Sequence, residues 1–223
     1  LNNGLDLAAV DRGVTAGIPT PPGGGNFLFG FNSLAAVQGA VGLFANLASF
    51  APMAKGGSIR GCLQRGAGGG PTGFSPFLFL CCQGNSVNDS AYMLGLSDDD
   101  PPRVVLRKGA IAVGLPDADG PGVLLKSAAS FAQSTWVHLR LDVIVNTNGD
   151  VVLKVLSNDL AANPVGTAPD WQPVAGMDQF IDDQLGINSG SQPLTSGRGG
   201  FGMSVKDVTR RAYFDHLELF RQV

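Results

Sequence analysis

Apolar and polar side chains alternate with a period of two along residues 136–146. The apolar members are Val137, Leu139, Leu141, Val143 and Val145, and His138, Arg140 and Asp142 lie between them. Successive side chains of a strand point to opposite faces, so this pattern predicts a strand with one buried face. Residues 151–156 repeat the pattern, with Val151, Leu153 and Val155 at the same parity. Together the two stretches predict an antiparallel hairpin.

The parity of these two strands determines the length of the loop between them. Directly opposed side chains lie on one face, so odd positions must pair with odd positions and the loop must be odd in length. A three-residue loop, 147–149, meets this condition as a type I turn followed by Gly149 at positive φ in a G1 bulge. The predicted pairs are Val145 with Val151, Val143 with Leu153 and Leu141 with Val155 on the buried face, and Asp142 with Lys154 on the other.

From residue 56 onward, short β-rich segments alternate with clusters of turn residues, at the spacing typical of a sandwich or jelly roll. The predicted strands are 58–64, 76–82, 91–96, 103–107, 110–113 and 122–126, and the predicted loops are 66–73, 83–89, 97–102 and 117–121. One short helix is predicted, at residues 176–185. The pattern therefore favours one antiparallel two-sheet domain over residues 27–223.

The last predicted strand, within residues 209–220, changes parity in its middle. Ala212 and Phe214 lie on one parity, whereas Leu217 and Leu219 lie on the other. A bulge near residues 215–216 would return all four side chains to one face.

Two segments near the N-terminus depart from this alternation. Residues 1–26 end in Pro19, Pro21, Pro22 and three glycines, and they predict an extended, irregular arm that is either a disordered terminus or a strap over a neighbouring subunit. Residues 27–53 carry no charged side chain. Asn32, Gln38, Asn46 and several glycines interrupt this stretch, so two or three buried strands are expected rather than a membrane span.

Composition supports the β architecture and restricts the partners. The chain has 32 Gly, 14 Pro and 17 Asp but only 5 Lys and one glutamate, Glu218, and this composition disfavours helices. A formal charge of −3 offers no basic surface for nucleic acid or for anionic lipid. No secretory leader is evident at the N-terminus, and the three cysteines include the adjacent Cys81 and Cys82 in an apolar run. This usage predicts reduced, buried thiols made in a cytosol, with neither a disulfide framework nor a metal site.

Three passages resemble the concanavalin A-like, laminin-G-like sandwiches: TWVHLRLDVI at 135–144, GDVVLKV at 149–155 and AYFDHLELF at 212–220. In that family a tryptophan opens a central strand, and an aromatic-Asp sequence often lies in the last one. The passages KGGSIRGCLQR (55–65), AYMLGLSDDDPPRVVLRKG (91–109) and GRGGFGM (197–203) are similar to bacteriophage virion proteins built on this fold. The resemblance implies an all-β jelly roll and a structural role in a virion made in the host cytoplasm.

Catalytic chemistry is not expected. Glycan hydrolysis requires two carboxyl groups in different environments, but Asp215 lies three positions from Glu218 and would face away from it unless the predicted bulge intervenes. His138 and His216 are the two available imidazole bases, and neither lies in a nucleophile motif. His138 is expected to face solvent, and Cys81 and Cys82 to lie in a core strand. Gly-rich stretches 66–70 and 197–202 lack the context of a phosphate-binding loop.

Two binding alternatives remain open. The resemblance implies calcium binding by loop carboxylates, for which Asp98, Asp99, Asp100, Asp117 and Asp119 are available, although acidic residues are also ordinary in solvated turns. Sugar binding would need an exposed aromatic platform. Trp136 is expected in the core or at a sheet edge, and Trp171 as a loop plug or as such a platform.

The sequence therefore predicts a non-enzymatic assembly protein of a bacteriophage particle, in the capsid decoration or the tail. It would bind other virion proteins and copies of itself, with no cofactor, no catalytic or metal residue, no nucleic acid and no membrane span. The alternative is a lectin-like module for a host-surface glycan, with or without calcium.

Overall fold

The computed structural model describes residues 5–11, 21–24, 27–33, 39–43, 55–65, 74–84, 88–113, 115, 118–205 and 211–221. Its strands, numbered in chain order, form two antiparallel sheets. One sheet contains β1 (Leu5–Asp11), β2 (Phe27–Ser33), β4 (Gly57–Arg65), β9 (Val137–Val145), β10 (Val151–Asn158), β11 (Gln172–Pro173), β12 (Phe180–Asp182) and β14 (Arg211–Arg221). Its order is β1-β2-β14-β4-β9-β10-β11, and β12 also pairs with β10.

The second sheet contains β3 (Gly39–Leu43), β5 (Phe74–Cys82), β6 (Ser90–Leu96), β7 (Arg103–Ala110), β8 (Val123–Ser130) and β13 (Arg198–Val205). Its six strands run in the order β3-β13-β5-β6-β7-β8. The two sheets face each other as the predicted all-β jelly-roll sandwich. A 3₁₀ turn at Ile111–Val113 follows β7, where a separate strand was predicted at 110–113. Within the described ranges, no helix has the length and apolar character needed to cross a membrane.

The core lies between the sheets and follows the predicted parity. The hairpin of β9 and β10 has the register expected from its alternation, with Val143 opposite Leu153 and Asp142 opposite Lys154. Gly149 closes its loop at φ 90°, a conformation that favours glycine. Leu139, Leu141 and the other inward side chains of β9 contact those of β6, which include Leu94. Burial of this alternating face is therefore what holds the sandwich together.

A second apolar cluster covers the outer face of the six-stranded sheet. Its members are Phe77, Phe79, Cys82, Ala91, Met93, Ile111 and Leu115. Leu115 follows the 3₁₀ turn and accepts a hydrogen bond from Ser75 Oγ at 2.9 Å, which ties this segment to β5. The side chains of this cluster are buried, although they lie on the outer face of their sheet.

One segment joins the two sheets along their shared edge. Val174 N donates to Val155 O of β10, and Ala128 N of β8 donates to Ala175 O. The helix predicted at 176–185 is wrong, because this stretch instead forms turns and the short strand β12, which pairs with β10. Gly176 has φ 84°, and the buried carboxylate of Asp182 anchors β12 to the core. These tertiary contacts outweigh the local helical preference.

Three strands lie in the N-terminal stretches that break the alternation. Residues 5–11, within the predicted arm, form β1, which pairs with β2 from Leu5 opposite Ser33 to Asp11 opposite Phe27. The uncharged stretch forms β2 and β3, so the expectation of strands is confirmed. Whether these strands are buried is a prediction that falls outside the described residues. Residues 21–24 contact the chain's own loop, since Val165 N donates to Pro22 O at 2.8 Å. A strap across a neighbouring subunit stays a prediction.

Candidate functional site

The outer face of the eight-stranded sheet carries rows of polar side chains from adjacent strands. Cross-strand pairing places residues in two neighbouring rows. One row contains Asp215, Cys62, His138 and Asn158, and the next contains Glu218, Arg60 and Arg140. Opposed side chains in an antiparallel sheet share one face, so these residues form a continuous surface. This surface, together with Trp171 and Phe220, is called the polar face below.

A β-bulge in β14 places both carboxyl groups on the polar face. The register with β4 shifts between Asp215 and Glu218, and His216 has φ 52°. The predicted bulge is therefore confirmed. Ala212, Phe214, Leu217 and Leu219 all contact the core, as expected. The same bulge puts Asp215 opposite Cys62 and Glu218 opposite Arg60, so the two carboxyl groups share a face after all.

The charged groups of the polar face form ion pairs with one another. Arg60 Nη2 donates to both carboxylate oxygens of Glu218, at 2.9 and 2.8 Å. Arg140 Nε donates to Asp142 Oδ1 at 2.7 Å. Two guanidinium groups and two carboxylates therefore compensate each other, and the planar groups are held in fixed orientations.

Hydrogen bonds determine which nitrogen of His138 carries the proton. Asp170 N donates to Asn158 Oδ1 at 2.9 Å, so the Asn158 amide nitrogen must be the atom that faces His138 Nδ1, at 3.2 Å. The same amide nitrogen donates to Asn163 O at 2.9 Å. His138 Nδ1 therefore accepts, and the proton of the neutral ring lies on Nε2.

His138 is buried, so the prediction that it faces solvent is wrong. Its exposed fraction is 3%, because the loop between β10 and β11 folds back across the sheet and brings Trp171 to 4.6 Å from its ring, measured between centroids. Burial, followed by the nearby charges of His216 and Arg60, lowers the pKa of His138 to about 4. The imidazole is therefore neutral at pH 7.

Two aromatic rings flank the guanidinium of Arg60. The Cζ atom of Arg60 lies 5.0 Å from the centroid of Phe220 and 5.9 Å from that of Trp171. Arg140 Cζ is also 5.9 Å from the Trp171 ring. Phe220 is 42% exposed, whereas Trp171 is partly buried against His138. Of the two roles expected for Trp171, loop plug or exposed platform, its contact with His138 fits the plug, and Phe220 is an exposed aromatic ring on this face that sequence reasoning missed.

The loops considered for calcium contain a buried guanidinium instead. Arg65 is 1% exposed, and its Nη1 donates to Ser97 O at 3.1 Å and to Asp99 O at 2.6 Å. Asp99 Oδ2 accepts from Ser97 Oγ and from Ala118 N. In the described part of the chain, which omits Asp117, no three potential metal-ligating side chains form a group that could hold an ion. The Arg65 cation therefore provides the positive charge beside this acidic turn.

The three cysteines are buried and free, as predicted. Burial raises the pKa of the Cys81 thiol to about 12, and burial together with the charge of Asp215 raises that of Cys62. Cys62 lies on the polar face between Asp215 and His138 but is fully buried. These thiols stay protonated at pH 7, so they lack the reactivity of a nucleophilic thiolate.

Comparison with solved structures identifies similar folds. The carbohydrate-binding module CBM66 from Bacillus subtilis aligns over 86% of both chains at 12% identity, with a TM-score of 0.50. The carbohydrate recognition domain of Emp47p aligns over 99% of this chain and 90% of its own at 10% identity (TM-score 0.41), and an alginate lyase from Aplysia kurodai over 88% and 84% at 10% identity (TM-score 0.48). No family model and no curated protein matches this chain. At this identity the likeness to CBM66 shows the fold alone, and this fold is the predicted concanavalin A-like sandwich.

Proposed function

We propose that this chain is a lectin-like glycan-binding module whose ligand lies on the polar face and is released unchanged. The observation that carries the proposal is the exposed ring of Phe220 beside Arg60, Glu218 and Trp171. A sugar presents an apolar face of C–H groups and a rim of hydroxyl groups. Its recognition therefore needs an aromatic surface next to polar groups of fixed orientation, as small-ligand sites generally combine the two.

The paired charges of the polar face suit a neutral polyhydroxylated ligand. Both oxygens of Glu218 are held by Arg60, so the carboxylate keeps lone pairs at known positions for sugar hydroxyl protons. His216 Nε2 lies 3.4 Å from Glu218 Oε1 and is partly exposed at the same rim. The polar face therefore offers donors and acceptors together, without a large net charge that would attract only ions.

We propose binding without turnover because of the contacts made by the candidate catalytic groups. Glycoside cleavage requires one carboxyl group that is protonated near pH 7 and a second that is free to attack or to activate water. Glu218 accepts hydrogen bonds from Arg60 Nη2 at both carboxylate oxygens, so its orientation is fixed by that guanidinium. The neutral His138 lies beneath Trp171 and is buried. Asp215, the second carboxyl group of this face, accepts from His216 N at 2.7 Å. These contacts support binding without turnover.

Truncation of the aromatic groups tests this proposal. Screening against immobilised plant, algal, fungal and bacterial polysaccharides should identify a bound glycan, and Trp171→Ala and Phe220→Ala should each weaken that binding by about 30-fold, the scale of an aromatic hot spot (~2 kcal/mol). Val113→Ala is the control, since Val113 is 50% exposed on a segment outside the polar face. Absence of binding to every class of polysaccharide, or binding by both aromatic variants that is as tight as that of the wild type, would refute the proposal.

A second candidate function, assembly with virion proteins or with copies of this chain, is favoured by one loop. Ile181, Leu185 and Ile187 are exposed by 42%, 81% and 75%. Three large apolar side chains within seven residues of one another, and outside any core, are typical of a contact surface. This surface comprises β12 and the loop that follows it.

The assembly candidate predicts that the molecular mass depends on this loop. If the chain self-associates, Leu185→Asp and Ile187→Asp should return it to a monomer in sedimentation velocity at micromolar concentration, because a buried carboxylate opposes association. Val113→Asp, at another exposed apolar position, should leave the mass unchanged. A wild-type chain that is monomeric at every concentration excludes self-assembly through this loop.

A further inference from the structure

The polar face contains two buried N–H groups that have no acceptor among the described residues. They are His138 Nε2 and Arg60 Nε. The direction of the Asn158 amide fixes the proton of His138 on Nε2, so this atom is a donor, and Arg60 Nε is always one. Buried donors are almost always paired in native proteins. Two exceptions on one face therefore indicate an acceptor that the described part of the chain does not supply.

The two donors lie close together. Arg60 is opposite Arg140, and His138 is two residues along the same strand, so the two side chains are diagonal neighbours across β4 and β9. Both contact Trp171, with the His138 ring 4.6 Å and the Arg60 Cζ atom 5.9 Å from its centroid. One acceptor group beneath or beside the indole would therefore reach both N–H groups.

The charges of the surroundings select the kind of acceptor. Arg60 is already compensated by Glu218, and Arg140 by Asp142, so a carboxylate would add an unpaired charge to a partly buried surface. A hydroxyl oxygen brings its own proton, which would in turn need an acceptor. An amide carbonyl brings two lone pairs and no proton, so it satisfies both donors at once.

We propose that the polar face recognises an N-acetylated amino sugar, with the acetamido carbonyl accepting from His138 Nε2 and Arg60 Nε. The acetamido methyl packs against the indole of Trp171, which moves outward to admit the group. This inference rests on the proposed glycan binding and names its ligand class. The neutral state of His138 at pH 7 agrees with a donor that carries no charge.

Two matched trisaccharides test the acetamido group directly. Chitotriose and cellotriose share their linkage and differ in carrying acetamido or hydroxyl groups at C2. Titration calorimetry at pH 7 should give a dissociation constant for chitotriose at least tenfold below that for cellotriose. In a Trp136→Phe background, which leaves Trp171 as the single tryptophan, chitotriose should also change the indole fluorescence.

Variants of Arg60 and His138 test whether the preference for chitotriose over cellotriose depends on these two N–H donors. Arg60→Lys removes the Nε donor but keeps a cation for Glu218, and it should reduce the preference for chitotriose to about twofold. His138→Phe should act in the same direction, with the thermal midpoint measured to show that each variant is folded. Lys126→Ala, which removes an exposed basic side chain from the other sheet, should keep the full preference.

The outcomes separate the inference from the function on which it rests. Equal affinity for both trisaccharides, with binding lost in Trp171→Ala, would retain glycan binding and overturn the acetamido assignment. Tighter binding of a triuronate than of chitotriose would overturn it as well. If no glycan of any class binds, both proposals fail together.

Discussion

Asp182→Ala is expected to destabilise the fold by about 3–5 kcal/mol, the cost of leaving one charge of a buried ion pair without its partner. Lys108 Nζ lies 2.7 Å from Asp182 Oδ2, and their side chains are 3% and 0% exposed. Tyr92 Oη and Ser189 Oγ each donate to the same carboxylate, at 2.5 Å. Removing the carboxylate therefore strands a buried ammonium group and two hydroxyl groups.

Loss of the Asp182 carboxylate should also affect the loop after β12, because these hydrogen bonds hold that loop against the core. Lys108 Nζ also donates to Ser191 O at 2.8 Å and Gln192 O at 2.7 Å, and Tyr92 Oη accepts from Leu194 N at 2.9 Å. Residues 189–194 therefore depend on the ion pair for their position. Local protection from hydrogen exchange should fall there first.

Thermal denaturation measures this effect. A loss of that size should lower the midpoint by roughly 10 °C for a domain of this length. Asp178→Ala is the matched control, since Asp178 is an exposed aspartate on the same segment and should change the midpoint little. The double variant Lys108→Met/Asp182→Leu removes both charges and should be more stable than Asp182→Ala alone. A midpoint for Asp182→Ala equal to that of the control would contradict the assigned role.

The β9–β10 hairpin shows which features could be predicted from sequence. Its register depends on alternation within two adjacent strands and on one glycine in the connecting turn, so all the information is local. The same holds for the bulge of β14, where the parity change from Phe214 to Leu217 requires an extra residue. Period and parity are geometric properties of a strand, and they need no knowledge of distant contacts.

The buried cations Arg65 and Lys108 were not predicted, although their positions in the alternating pattern indicate that they point inward. Arg65 shares the inward parity of Ile59 and Leu63 on β4, and Lys108 shares that of Val104 and Leu106 on β7. A cationic residue at an inward-facing position of a strand indicates a buried hydrogen-bond or ion-pair partner. The identity of that partner was not predictable, because Asp182 is distant in sequence and lies in a segment whose local preference is helical.

The burial of His138 and the exposure of Phe220 on the polar face were not predicted for another reason. His138 has the outward parity that normally means solvent, and β9 alone contains nothing that contradicts this. Its burial comes from the loop between β10 and β11, whose path is set by hydrogen bonds such as that from Asp170 N to Asn158 Oδ1. The exposed ring of Phe220 is likewise revealed only by its neighbours, Arg60 and Trp171 across the sheet.

The burial of His138 also makes stability depend on pH in a defined window. Its pKa is lowered from 6.5 to about 4 in the fold, so the unfolded chain binds a proton more readily as the pH falls. This group therefore contributes stability in full above pH 6.5, and the contribution is lost progressively between pH 6.5 and about 4. At 1.36 kcal/mol per pH unit, the full loss is about 3 kcal/mol.

A variant without the imidazole separates this effect from the titration of carboxylates. His138→Phe should lower stability at pH 7.5, because Asn158 loses its acceptor, but the gap between wild type and variant in urea denaturation should narrow by about 3 kcal/mol by pH 4. NMR gives an independent value: the chain has 2 His, so comparison with His216→Asn assigns the two imidazole signals, and the signal of His138 in the wild-type protein should titrate with a midpoint near 4. Burial of the ring explains the low midpoint, because it disfavours the charged imidazolium. A midpoint near 6.5, with a constant gap between the two stabilities, would mean that His138 is solvated and that the loop carrying Trp171 does not cover it in solution.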